Sequence, residues 1–156
     1  MNQLISLLEE NSRLTNAQLA VMLDISEEEV AEQIRQYESD GILIGYTAVI
    51  DKERLDKEYV EAYIELKVTP KRDHGFDEIA VKVAAYDEVK DVYLMSGGYD
   101  LIVVVTGTNF KDIAMFVARR LSTLDSVEST ATHFLLKRYK EHGVLLDTAE
   151  KDERSV

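Results

Sequence analysis

Two groups of residues carry side chains whose types and spacing suit binding chemistry. The first is Gly97-Gly98-Tyr99-Asp100. Two glycines expose backbone N–H groups and allow close approach of a ligand. Asp100 offers a carboxylate for an ammonium group, and Tyr99 offers a wall. Ser129, Thr130 and Thr132 add hydroxyls suited to a carboxylate. The same residues also have a plain structural reading: Gly-Gly builds a hairpin, and threonines favour strands. The second group is Arg13 and Arg35 with Glu28, Glu32, Gln33 and Gln36. Arginine reads guanine or holds phosphate, glutamine pairs with adenine, and glutamate accepts from the cytosine amino group. Alternatively, the glutamates form a solvated face matched to a helix N-terminus.

Other chemistries find little support. Without cysteine there is no disulfide, thiol nucleophile or cysteine zinc site. His74, His133 and His142 lack helical partners at metal-ligand spacing. No lysine follows Gly97-Gly98 at phosphate-loop spacing, and no helix is expected there. Neither a metal nor a cofactor is expected.

The second group needs a helical scaffold, and residues 1–45 supply one. A short helix is expected over 3–11. Thr15 with Gln18, and Ser26 with Glu29, have the spacing of capping boxes. They open helices over 15–23 and 26–40, separated by a tight turn at Asp24-Ile25. Val30, Ile34 and Tyr37 form one inward stripe, and Gly41 suits the left-handed position that ends a helix. This is the spacing of a helix-turn-helix. Its second helix opens Glu27-Glu28-Glu29, an awkward face to offer a polyanion. Residues 1–50 hold two basic and nine acidic side chains, a net charge of −7 within a chain total of −12. Such a balance disfavours nonspecific binding to nucleic acid or acidic lipid.

Residues 42–50 are apolar and β-branched, and read as a wing or connecting strand. The charged stretch 51–58 is the expected boundary, with Lys52, Arg54 and Lys57 as further cations. Beyond it, Val60, Ala62, Ile64, Leu66 and Val68 alternate with Glu61, Tyr63, Glu65 and Lys67. That pattern predicts a strand with one apolar and one polar face. A helix follows over 76–86, with Phe76, Ile79, Ala80, Val83 and Ala84 inward. Strands over 91–96 and 99–106 are expected to flank a tight Gly97-Gly98 turn. Asn109 caps a helix carrying Ile113, Phe116, Val117 and Leu121 on one face, and a last strand covers 127–137. From Lys140 the chain is polar except for Val144-Leu145-Leu146, and is expected to fray after that.

The fold class is therefore α+β: a (winged) helix-turn-helix followed by a ferredoxin-like βαββαβ domain, with both helices on one face of an antiparallel sheet. The domains expected are 1–45, a connecting strand and linker at 46–58, the sheet domain at 59–139, and a tail at 140–156. Leu101–Val105 is apolar at five consecutive positions, so both faces of its strand seek burial. The helices cover one face, and a second subunit is expected on the other. Apolar runs of this length fall far short of the ~20 residues of a membrane span. With no basic, apolar leader at the N-terminus, a cytoplasmic protein is expected.

Asn11-Ser12-Arg13, Gly41-Ile42, Ile44-Gly45-Tyr46 and Ser96-Gly97-Gly98-Tyr99-Asp100 resemble landmarks of the Lrp/AsnC (feast/famine) transcription regulators. The chain is most similar to the short acidic members from Gram-positive bacteria. The resemblance covers nearly the whole chain. It implies a DNA-binding first module and a second module that dimerises and binds an amino acid or similar small effector. Dimers would join into tetramers, octamers or larger rings, with the effector between dimers. The acidic second helix departs from the family's usual basic or small polar residues. Two alternatives accompany this reading. One is an effector sensor, or partner of a paralogue, that binds no DNA itself. The other is a tetrapyrrole decarboxylase of similar architecture, for which His133 is the histidine on the last strand.

Overall fold

The computed structural model describes residues 2–55, 58–70 and 75–146. Lys57 and His74 lie outside them. The chain divides into two compact units, Met1–Val49 and Ile50–Val156.

In the first unit, α1 (Gln3–Glu10), α2 (Asn16–Leu23) and α3 (Glu27–Ser39) pack around Leu4, Leu8, Leu19, Ala20 and Val30. Ile34, Tyr37 and Leu43 lie against that core. Both capping boxes form. Thr15 Oγ1 accepts from the Gln18 N–H at 3.2 Å, and the Thr15 N–H donates to Gln18 Oε1 at 2.9 Å. Ser26 Oγ accepts from the Glu29 N–H at 3.1 Å, and Glu29 Oε2 accepts from the Ser26 N–H at 2.9 Å. Asp24 turns the chain between α2 and α3 with a left-handed φ of 56°. After α3, Gly41 adopts φ 67°. The Ile42 N–H then donates to the Tyr37 carbonyl at 2.9 Å and the Gly41 N–H to the Glu38 carbonyl at 3.2 Å. This pair of bonds closes the helix end.

The expected strand over 42–50 is not a strand. Residues 44–50 take no regular structure and are exposed, with Ile44 92% accessible, and form no ladder among the described residues. β-branched residues favour extended backbone, but a strand also needs a partner edge.

The second unit opens with a one-turn helix, α4 (Lys52–Leu55), where a charged connector was expected. The Arg54 N–H donates to Asp51 Oδ1 at 3.2 Å, a local cap that explains the turn. Then come β1 (Val60–Val68), α5 (Asp77–Ala84), β2 (Val89–Leu94), β3 (Leu101–Gly107), α6 (Phe110–Phe116) and β4 (Val127–Phe134). The antiparallel sheet has the order β2-β3-β1-β4, as the ferredoxin-like expectation requires. Asn109 Oδ1 caps α6 by accepting from the Asp112 N–H at 2.9 Å. The helix continues as a wider π turn over Val117–Leu121. Ala62, Ile64 and Leu66 of β1, and Leu101 and Val103 of β3, pack against Ile79, Val83, Ile113, Phe116 and Leu121 of the two helices. Ala84, expected to face inward, is exposed at the helix end.

One expectation near the end of a strand changes. The β2–β3 connection is not a two-residue turn. Leu94 pairs with Leu101, and the Met95 N–H donates to the Asp100 carbonyl at 2.8 Å. Four residues, 96 to 99, therefore make the loop, and Gly97 alone takes a positive φ, 135°. Beyond β4 the structure adds a hairpin where only a polar tail with one apolar stretch was expected. β5 (Lys140–Glu141) pairs with β6 (Val144–Leu145) across His142 (φ 45°) and Gly143 (φ 81°). Two successive left-handed residues make a turn whose twist suits a hairpin.

Ser26→Ala should remove one capping bond of α3 and destabilise the first unit by about 1 kcal/mol. Amide hydrogen exchange across residues 15–43 would report it, with the amides of β1 and β3 as an unchanged internal control.

Candidate nucleic-acid and effector interfaces

The outward face of α3 carries Glu28, Glu32, Arg35 and Gln36, all exposed, with Gln33 half-buried at its edge. Arg35 Nη2 lies 2.5 Å from Glu32 Oε2, and both side chains are 68% accessible. Exposed pairs of this kind are worth little, so either partner can be drawn away by a ligand. Gln36 Nε2 donates to Asp40 Oδ1 at 2.9 Å. Glu29 is occupied differently: hydrogen bonds from the Ser26 backbone and hydroxyl hold its carboxyl below the usual range. Arg13 sits exposed in the turn after α1, where its N–H donates to Asn11 Oδ1 at 3.0 Å. Lys52 and Arg54 carry other duties. Arg54 Nε pairs with Asp51 Oδ2 at 3.2 Å, and Lys52 joins the buried cluster described below.

In the second unit Gly97 and Gly98 lie on the exposed β2–β3 loop, and a Cβ built on either meets nothing within 4 Å. Asp100 already has a structural task. Its Oδ2 accepts from the Val68 N–H at 2.8 Å, and its own N–H donates to the Leu66 carbonyl at 3.0 Å. The first bond serves Val68, where the β1–β4 register slips at Lys67/Val68. The carboxylate keeps further acceptor capacity on Oδ1.

The three hydroxyls of β4 do not converge. Thr130 pairs with Leu66 and Thr132 with Ile64, which places both on the helix-covered face. Ser129 pairs with Lys67 and points the other way. Neighbouring strand residues alternate faces, so grouping Ser129 with the threonines was a parity error legible in the sequence.

Tyr99 borders a shallow groove of about 540 Å³ on the helix-free face of the sheet, with Tyr63, Glu65, Met95, Ile102 and His133 among its walls. His133 Nε2 lies 3.2 Å from Glu65 Oε1 across the β1–β4 pair. Val104 shares this face and is buried.

Sequence reasoning missed Glu61. Alternation put it on the polar face, and it is there, yet only 6% accessible. Arg138 Nη2 donates to Glu61 Oε1 at 2.5 Å, the Tyr59 hydroxyl to Oε2 at 2.5 Å, and the Tyr63 hydroxyl to Oε1 at 3.2 Å. Lys52 Nζ lies 3.8 Å from Glu61 Oε2 and donates to the Tyr59 hydroxyl at 2.8 Å. Burial alone would push the Glu61 carboxyl up. The Tyr59 and Arg138 hydrogen bonds, with the charges of Arg138 and Lys52, outweigh it and leave the carboxyl below its ordinary range. Burial and the neighbouring Glu61 push the Tyr59 phenol up. No periodic signal announces the cluster, because its cations come from segments outside the strand.

Comparison with known proteins matches residues 2–44 to a winged helix-turn-helix DNA-binding domain and residues 61–145 to the Lrp/AsnC ligand binding domain. The chain belongs to the Lrp/AsnC family. The HTH-type transcriptional regulator YugG of Bacillus subtilis is 46% identical over 155 residues, covering 99% of this chain and 93% of that protein. The leucine-responsive regulatory protein of Haemophilus influenzae is 21% identical, covering 92% and 86%. A solved transcriptional regulator of Neisseria meningitidis in complex with L-Met shares the fold, with a TM-score of 0.72, 23% identity, and coverage of 90% and 93%. As an Lrp/AsnC protein the chain is a DNA-binding transcription regulator and not an enzyme, which removes the decarboxylase alternative.

Because the folded Glu61 carboxyl titrates below its unfolded value, the unfolded state binds more protons on acidification. The cluster's contribution should be complete above the ordinary carboxylate range and vanish as pH falls through the lowered value. Melting temperature measured against pH should therefore fall more steeply for the parent than for Glu61→Gln over that acid window.

Proposed function

We propose that this Lrp/AsnC regulator binds an amino acid at the β2–β3 loop and uses it to control an assembly of several DNA-binding units. The observation that carries the effector reading is the open loop 96–99. It presents Gly97 and Gly98 beside a carboxylate, Asp100, whose Oδ2 is already held by the Val68 N–H. A carboxylate fixed by the backbone is preorganised for an ammonium group. Tyr99 supplies an adjacent wall. Of the β4 hydroxyls, Thr130 and Thr132 remain candidates on one face and Ser129 on the other. The L-Met in the Neisseria relative supports the ligand class.

On the DNA side, Arg13, Arg35, Gln33 and Gln36 are the proposed contacts, with Glu28 and Glu32 facing bases. Arg35 donating to guanine while Glu32 accepts from a cytosine amino group would use the existing pair as one reader. Two arginines per unit are few against the roughly 6–10 phosphates of a firmly anchored protein. Backbone N–H groups at helix N-termini add contacts, and joining several units raises effective concentration. A homodimer, extended to a tetramer, octamer or larger ring, supplies those units. The exposed segment 44–50 and the helix-free sheet face are the surfaces a second copy would cover. Among the described residues no helix is long and apolar enough to cross a membrane; the cytoplasmic location we propose is supported by the DNA-binding role.

A gel shift against the gene's own upstream region, at low and moderate salt, tests the DNA reading. Arg35→Ala should weaken the specific complex by roughly 1–3 kcal/mol. Glu32→Ala should lower discrimination between sites; a general gain in affinity would instead mark Glu32 as a mere repulsive charge. For the effector, thermal-shift screening of the amino acids should find a ligand that raises the parent's melting temperature. Asp100→Asn keeps an acceptor for Val68 but loses the charge, so it should fold normally and lose that response. A preserved response would move the ammonium site elsewhere.

A further inference from the structure

Glu61 is the one buried charged residue among the described residues, and three segments meet at it. From β1 comes Glu61, with Tyr59 just before the strand. From the C-terminal segment comes Arg138, whose side chain is 9% accessible. From the connector comes Lys52, while the next residue, Glu53, accepts at Oε1 from the Arg138 backbone N–H at 3.3 Å. Arg138 thus holds β1 with its guanidinium and the connector with its backbone.

Among the described residues, apolar burial does little to hold the connector. Helix α4 buries no residue, and Leu55, its largest apolar side chain, is 74% accessible. One turn of helix is not stable alone. Its placement on the second unit therefore rests on charge and hydrogen bonds rather than on apolar packing. Buried pairs are screened little by salt and are geometrically demanding, which suits a two-position device better than a general adhesive.

We propose that Glu61 and Arg138 form a latch that couples the C-terminal segment to the connector leaving the DNA-binding unit, so that the segment beyond β4 governs whether that connector is held or free. Arg138 is a positioning residue here: it touches neither DNA nor effector, and acts through Glu53 and Glu61. Holding the connector from Lys52 onward shortens the free chain available to the DNA-binding unit. Releasing it lengthens that chain and lowers the effective concentration of one unit beside another. The regulatory meaning rests on the assembly reading above, whereas the physical latch does not.

The chain contains no cysteine, so a single Leu55→Cys substitution places a nitroxide on the connector of the full-length protein. Electron paramagnetic resonance is recorded without DNA or amino acids, which separates this test from the function proposed above. The expected parent spectrum has a slow-motion component, and Arg138→Gln should convert most of it to fast motion. Should Arg138→Gln unfold, the double variant Glu61→Leu/Arg138→Met removes both charges, takes a partner only from the part-exposed Lys52 and Glu141, and should mobilise the label equally. Circular dichroism and melting of the same samples separate release from unfolding. A Leu55 label already fast in the parent, or unmoved in a folded variant, overturns the latch and confines Arg138 to anchoring the tail. Rescue by Arg138→Lys, returning the slow component in part, would support charge as the operative property.

Discussion

Strand β1 lies between β3 and β4, and the other strands of the four-stranded sheet are placed through it. Its helix-side residues, Ala62, Ile64, Leu66 and Val68, are all buried, which sets the register: a slip of one residue would turn this row to the opposite face. The same register puts Glu61 on the other face, where Arg138 and two tyrosine hydroxyls meet it. It also brings Val68 within reach of Asp100. One alternating nonapeptide thus fixes the core, the buried ion pair and the root of the candidate effector loop. Leaving a buried ion without its partner typically costs about 3–5 kcal/mol, so the polar face of β1 is nearly as constrained as the apolar one.

In the first unit, the charges that suit a helix stand on the face that would meet DNA. Glu27, Glu28 and Glu29 occupy the first turn of α3, where the helix dipole favours acids. Glu29 also closes the capping box. What suits the fold works against approach to a polyanion. An acidic reader gains little from nonspecific attraction, so its occupancy depends on specific contacts and on how many units bind together. The proposed regulation through assembly agrees with this charge distribution, which leaves a single unit little nonspecific attraction.

Legibility in the sequence followed the range of the interaction concerned. Caps and turns within four residues were readable: Thr15 with Gln18, Ser26 with Glu29, Asn109 with Asp112, and Gly41 at the end of α3. The order of strands and helices was readable because periods of 2 and 3.6 differ along the whole second unit. Segment 42–50 failed because β-propensity cannot reveal whether a partner edge exists. The Gly97-Gly98 loop failed because Asp100 answers to Leu66 and Val68 rather than to its own neighbours. The hairpin at 140–146 was missed although His142-Gly143 is a short-range turn signal, since a polar tail drew attention away from it.

The candidate sites divide along the same line. Sequence by itself determined the helix-turn-helix, the ferredoxin-like order, the exposed Arg35 face and the presence of a glycine–aromatic–aspartate loop, because each depends on neighbours a few residues apart. Tertiary structure alone decided that Asp100 is held by Val68 and that Glu61 is buried. The last requires Lys52, Tyr59 and Arg138 to converge across more than half the second unit. No local pattern encodes such a meeting; it exists only once β1 has taken its register and the chain beyond β4 has folded back.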